Sequence, residues 1–314
     1  LARNVISLCL SQLPSRFLAV IRYLSLLVVS ALFAGTLTGC ATNKLLATMV
    51  ANQLASQGTD SEEDLLLARD AAPFFLKFGE SVLAKVPEHR LLSETLAAGF
   101  VRYSWAFVAF EADKIESRNA REALRLRERA VRLYARAEAH AMRALEQHHP
   151  GIGERLRAAT RNQAPITLSP NDAGIAYWAC AAWGSRIALS KGNAEALAEL
   201  PSVIRLANAL AACCESWGDG AVPALMGSLE AGRPGGRLVE AQGWFDKADN
   251  LSAGRNAGLP LARAEAIALP AGDRTDFERL IRLSIAIAKN NPGIENAIML
   301  ERANWLLETI DDRF

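Results

Sequence analysis

From Glu62 onward, apolar residues recur three and four positions apart, and no stretch alternates as a strand does. The pattern predicts a chain of helices. The first runs from Leu65 to Val86 and is interrupted near Pro73. Pro87 ends it, because a residue before proline disfavours helical backbone. Asp60 or Ser61 supplies its cap. Leu91 to Ile115 follows. Ala120 to Glu146 is a long helix with Ala130, Tyr134, Ala137, Ala141 and Ala144 on one side. Its arginines (Arg121, Arg125, Arg127, Arg129, Arg132, Arg136), with Glu122, Glu128 and Glu138 between them, read as a solvated face. Pro150-Gly151 closes it, and a short helix from Glu154 to Thr160 leads on.

The most apolar stretch is Ala173 to Ser190, hydrophobic on all sides and so predicted to be surrounded by other helices. Tyr177, Ala181, Gly184 and Ala188 fall on one stripe, three of them small, which predicts close approach of a second helix there. Lys191-Gly192-Asn193 is a tight connection. Ala196 to Ser216 is a second apolar helix with Pro201 near its start, and Asp219 is placed to cap Ala221 to Leu229. Gly232 to Gly236 is a loop. Then come Leu238 to Leu251, a short Leu261 to Leu269, a helix over Phe277 to Lys289 capped from Asp273-Arg-Thr-Asp276, and a last helix over Ile294 to Ile310.

Before this helical region, residues 1–22 carry cations without acids, and Tyr23 to Phe33 is an uncharged apolar run. Small residues follow, ending at Leu37-Thr38-Gly39-Cys40. These are the parts of a secretory signal, with an apolar run too short to span a membrane comfortably. The four-residue end resembles a bacterial lipobox. That implies diacylglycerol on the Cys40 sulfur and anchoring through buried methylenes. Ala41, in the position after the cysteine, implies outer-membrane sorting by resemblance to Gram-negative lipoproteins. The expected organisation is a signal peptide over 1–39, a lipidated tether over 40–60 and one helical-repeat domain over 61–314.

Beyond residue 39 there are 32 basic and 34 acidic residues, which excludes a nucleic-acid binder on bulk electrostatics. Cys180, Cys213 and Cys214 lie in apolar helical runs and read as buried thiols. A bond from Cys180 to Cys213 or to Cys214 stays open in an oxidising compartment. A bond between adjacent Cys213 and Cys214 is not expected, because neighbours on a helix diverge.

Helices joined by short turns have the sequence look of an α-solenoid. Gly227 followed by Ala241-x-x-x-Phe245-x-x-Ala248 has tetratricopeptide-like small-large-small spacing, with a loop two residues too long. The fold expectation is therefore all-α, with helical hairpins packed as a degenerate tetratricopeptide-like solenoid. Catalytic signatures are missing: there is no HExxH, P-loop, GxSxG or CxxC. His148 and His149 sit where a helix ends and read as solvent-facing rather than metal-binding. No enzyme activity, cofactor or metal is expected.

Several stretches together resemble one family. They are the lipobox, Tyr177-Trp178 with Ala182-Trp183-Gly184, Glu199-Leu-Pro201, Gly220-Ala221, Pro234-Gly-Gly236 with Phe245-x-Lys247-Ala248, Phe277-x-x-Leu280 and the C-terminal Leu306 to Phe314. This is similar to the T component of tetratricopeptide-associated TRAP transporters, over roughly residues 37–314. The resemblance implies a helical lipoprotein assembling as a homotrimer with a hole through each protomer. It also implies docking to a periplasmic TRAP solute-binding protein and handing on an apolar or organic-acid ligand.

The remaining candidates are aromatic. Tyr177, Trp178, Trp183, Trp217 and Trp244 either fill the core or line a pocket, with Arg186, Arg205 and Asn208 as polar groups. A cation in an apolar helix needs a partner or water, so Arg186 and Arg205 either pair with Glu199 or Glu215 or face a wet cavity. The expected function is a periplasm-facing, lipid-anchored accessory of TRAP-type uptake. The rival is a structural lipoprotein scaffold for envelope assembly that holds a peptide on a concave solenoid face.

Overall fold

A computed structural model describes residues 43–56, 64–158, 165–190 and 192–314. Contacts divide the chain into Leu1–Val50 and Ala51–Phe314. The signal segment, Cys40, Asp60 and Ser61 lie outside the described residues.

All regular elements among the described residues are helices. In order they are α1 (43–56), α2 (Leu65–Leu83), α3 (Arg90–Ser104), α4 (Phe110–Ile115), α5 (Ala120–His148), α6 (Ile152–Arg157), α7 (Ala173–Ala188), α8 (Ala194–Ala198), α9 (Leu200–Cys214), α10 (Ala221–Gly232), α11 (Leu238–Ser252), α12 (Gly258–Arg263), α13 (Arg274–Asn290) and α14 (Ile294–Glu308). Asp64 caps α2 by accepting from the amides of Leu66 and Leu67. Pro73 lies inside α2 without ending it. It sits on the exposed face, where the carbonyl it leaves unbonded meets water. Asp273 caps α13 as expected. Asp219 caps nothing: it and Gly220 are both left-handed, and Gly220 itself starts α10.

The apolar α7 is enclosed by α3, α5 and α9. It buries Ala173, Ile175, Ala176, Ala179, Cys180, Ala182, Trp183 and Ile187. The predicted small stripe is not its tight face. Gly184 makes only ordinary contact with Leu229, and Ala188 is exposed. The segment Ala194–Cys214 is apolar and long enough to cross a membrane by composition. It breaks at Glu199, however, and buries Val203, Leu206, Ala207 and Leu210.

Tight packing comes from glycine facing a large residue. A Cβ on Gly79 would lie 2.7 Å from Leu96, and one on Gly99 would lie 2.8 Å from Leu76. Thus α2 and α3 run antiparallel, each with a notch that receives the other's leucine. The same device joins α10 and α11. A Cβ on Gly227 would lie 2.9 Å from the Phe245 ring, and one on Gly220 would meet the Ala248 carbonyl, which again sets the pair antiparallel.

The last helix returns to the first ones. Ile294 and Ile298 pack with Ala106, Leu65 and Ala68. Arg102 meets Glu295 at 2.5 Å, and Lys114 meets Glu301 at 3.2 Å. Arg302 bridges Asp113 at 3.2 Å and Glu265 at 2.5 Å. Its guanidinium also lies 5.3 Å from the Trp105 ring and 5.2 Å from the Phe110 ring. Trp105 and Glu265 each belong to a π-turn (Trp105–Ala109 and Ala264–Ala268), where one extra residue re-aims the side chains of a helix. Burial works against the charge of Arg302, but Glu265 and Asp113 hold its pKa above the ordinary value.

A second polar tie joins α2 to α5. Glu80 accepts from Arg136 at 2.5 Å and from His140 at 2.9 Å. Burial lowers the His140 pKa, aided by Arg143 and Arg136 and opposed by Glu80. A histidine whose folded pKa lies below its unfolded value stabilises fully above the unfolded value. That stability is lost as pH falls through the folded pKa.

Two outcomes follow. Gly227→Ala should lower stability by about 1–3 kcal/mol in chemical denaturation, because Phe245 cannot retreat; an unchanged midpoint would contradict the notch. Between about pH 7 and pH 5 the native chain should lose more stability than His140→Gln, which keeps a donor for Glu80. Parallel losses would show that His140 does not set the slope.

Candidate functional site

The predicted site residues separate into three places. The first lies on α7 and the turn after α9. Tyr177 packs edge-on against Trp178 with ring centroids 4.9 Å apart, and lies 4.9 Å from Trp217. All three are half-buried. The Arg102 guanidinium lies 4.7 Å from the Trp178 ring while it pairs with Glu295. Burial, reinforced by Glu295, pushes the Tyr177 hydroxyl up to about 12, so it stays a neutral donor. An aromatic cluster with one ion pair beside it can hold an apolar or aromatic group, with a hydroxyl to orient it.

The second place is internal. Trp183 is 1% exposed, and its indole N–H donates to Glu199 at 2.5 Å. Arg186 meets that same Glu199 oxygen at 2.5 Å and also Glu138 at 2.7 Å. Burial opposes the Arg186 charge, but hydrogen bonds and the charges of Glu138 and Glu199 raise its pKa. These groups tie α5, α7 and the α8–α9 joint together and leave no face of Trp183 open. Arg205 pairs with neither Glu199 nor Glu215. It donates through Nε to the Leu156 carbonyl at 2.8 Å and through Nη2 to Ser202 at 3.1 Å. It therefore satisfies a carbonyl near the end of α6 that the helix leaves unpaired.

The third place is a groove of about 550 Å³ between α9, α10 and α11. Asn208 and Trp244 line it, with Ile204, Met226 and Leu229 as apolar wall. Lys247 lies 4.4 Å from the Trp244 ring and pairs with Glu215 at 2.7 Å. Glu230 holds Arg233 at 2.7 Å, and that hydrogen bond keeps the Glu230 carboxyl below its ordinary range.

Several participants were not singled out from sequence. Arg102, Glu230 and Glu295 lie on helix faces with no aromatic signal, and Glu138, expected on a solvated face, is half-buried against Arg186. His149 is half-buried and meets Asp172 at 3.0 Å, contrary to a solvent-facing reading. Asp172 is buried because it caps the approach to α7 from Ser169. Cys180 is free and buried, and burial raises its thiol pKa. Cys213 and Cys214 are joined in a disulfide, against expectation. The two cysteines are the last residues of α9. Among the described residues no group of three or more His, Cys, Asp or Glu is placed to hold a metal.

Replacing Arg186 by methionine should cost about 1–3 kcal/mol, since the half-buried Glu138 loses its partner. Urea unfolding at neutral pH measures it. A loss below about 1 kcal/mol would place the trio in water instead.

A family model described as TRAP transporter T-component (TAtT) matches residues 61–314. An uncharacterized protein of Treponema pallidum (strain Nichols) is 25% identical over 272 residues, covering 81% of each chain. The match over residues 61–314, which takes in α2 to α14, shows that this chain belongs to the TRAP transporter T-component family and has an accessory role in TRAP transport.

Proposed function

We propose that this chain is a lipid-anchored, periplasm-facing accessory of a TRAP uptake system. It docks the solute-binding protein and passes on a small organic or hydrophobic ligand. Family membership over residues 61–314 carries the reading. The acyl anchor is at Cys40 and holds the protein on the outer membrane. The helices form a degenerate tetratricopeptide-like solenoid. The notched pairs α2–α3 and α10–α11 support that arrangement, because stacked antiparallel hairpins are its building unit.

The protein works as a homotrimer. On α2, Leu67, Ala71, Phe74 and Phe78 fall at i, i+4, i+7 and i+11 on the exposed side, with Phe74 74% exposed. Such a stripe favours cover by another chain. Ligand contact falls to Tyr177, Trp178 and Trp217, beside the ion pair that closes α14 onto α3, and to the groove holding Asn208 and Trp244.

The test is affinity capture from detergent extract with the tagged mature protein. The native chain should retain the TRAP solute-binding protein. A Trp178→Ala, Trp217→Ala double variant that stays folded should reduce ligand carried with the complex by at least about tenfold. Recovery of envelope-assembly factors alone would overturn the reading.

A further inference from the structure

The groove between α9, α10 and α11 shows a chemical preference in its own charges. We propose that it takes a small uncharged molecule with an apolar body and one hydrogen-bonding group, and rejects the corresponding carboxylate. The proposal rests on the reading that this chain handles a small ligand, and it names that ligand's class.

Space is the first observation. The groove measures about 550 Å³, within the range of small-molecule sites, and its wall is apolar at Ile204, Met226, Leu229 and Trp244. Gly243 also lines it, in the middle of α11. A glycine there costs the helix about 1 kcal/mol against alanine. At Gly227 that cost is repaid by close packing. At Gly243 nothing outside the helix's own backbone comes within 4 Å of the place a Cβ would take. Internal packing therefore does not fill that space, which stays open to an occupant of the groove.

Charge is the second. Every charged group on the wall already has an opposite partner: Arg233 with Glu230, Lys247 with Glu215, and Glu240 with Arg237. An incoming carboxylate finds no free cation here, and Glu230 and Glu240 repel it while it loses its hydration. Asn208 is the exception among the polar wall groups. Its amide is exposed and has no hydrogen-bond partner among the described residues. An amide both donates and accepts, so it matches a hydroxyl or another amide.

The test uses the full mature chain and the uncharged fluorophore phenylnaphthylamine, displaced by decanol or by decanoate at neutral pH. The probe should bind, and decanol should displace it at a concentration at least about tenfold below that of decanoate. Gly243→Leu should abolish probe binding with helical circular dichroism unchanged. Asn208→Leu, at an exposed position, provides a second variant and should narrow the advantage of decanol over decanoate. Decanoate equal to or better than decanol overturns the proposal. So does unchanged probe binding in folded Gly243→Leu, or no probe binding to the native chain. Loss of self-association in Gly243→Leu without probe binding assigns the groove to a second copy and also overturns it. Capture of the solute-binding protein is measured separately, so failure of the groove and failure of docking are distinguishable.

Discussion

The architecture depends on a large side chain seated in a glycine notch. Gly79 and Gly99 let Leu96 and Leu76 reach the opposite backbone, and Gly227 does so for Phe245. Each notch fixes two helices in register and hand. Dispersion between close-packed atoms supplies the attraction, and only glycine leaves room for it. The N-terminal and C-proximal hairpins are built this way, while α7 between them is held by burial on several sides.

Polar contacts reinforce joints that apolar packing also makes. Arg302 draws two π-turns and α14 into one cluster, and Arg186 does the same for α5, α7 and α9. Both arginines are largely enclosed and each serves two carboxylates. Such centres specify geometry more than they add stability, since desolvation offsets much of the attraction. Arg186 thereby fixes α7, the helix that carries Tyr177 and Trp178.

The helices were largely legible in the sequence because their periodicity is strong and their caps are simple. Asp273 is an example. Pro73 misled because, on the exposed face of α2, water takes up the carbonyl that the proline leaves unbonded, which offsets part of the cost of interrupting the ladder. The small stripe Tyr177, Ala181, Gly184 and Ala188 misled for a different reason. Spacing identifies a face, but it does not say whether a small residue meets another small residue, a large one or solvent. For the site, Asn208 and Trp244 do share a groove, and Tyr177, Trp178 and Trp217 do cluster. Trp183, Arg186 and Arg205 belong to the interior instead. Glu199, an expected partner, does hold Arg186, but Glu138 and the Leu156 carbonyl lie 48 and 49 residues from the arginines they meet, a distance over which periodicity carries no information.

A double-mutant cycle between Leu76 and Gly99 tests the notch most directly. Gly99→Ala alone should destabilise by crowding, and Leu76→Ala alone by leaving a cavity. Together, the new methyl enters the vacated space, so the double variant should lose at least about 1 kcal/mol less than the two singles combined. Simple additivity in thermal or urea unfolding would show that the two residues do not act as one unit, and that the register of α2 on α3 is set elsewhere.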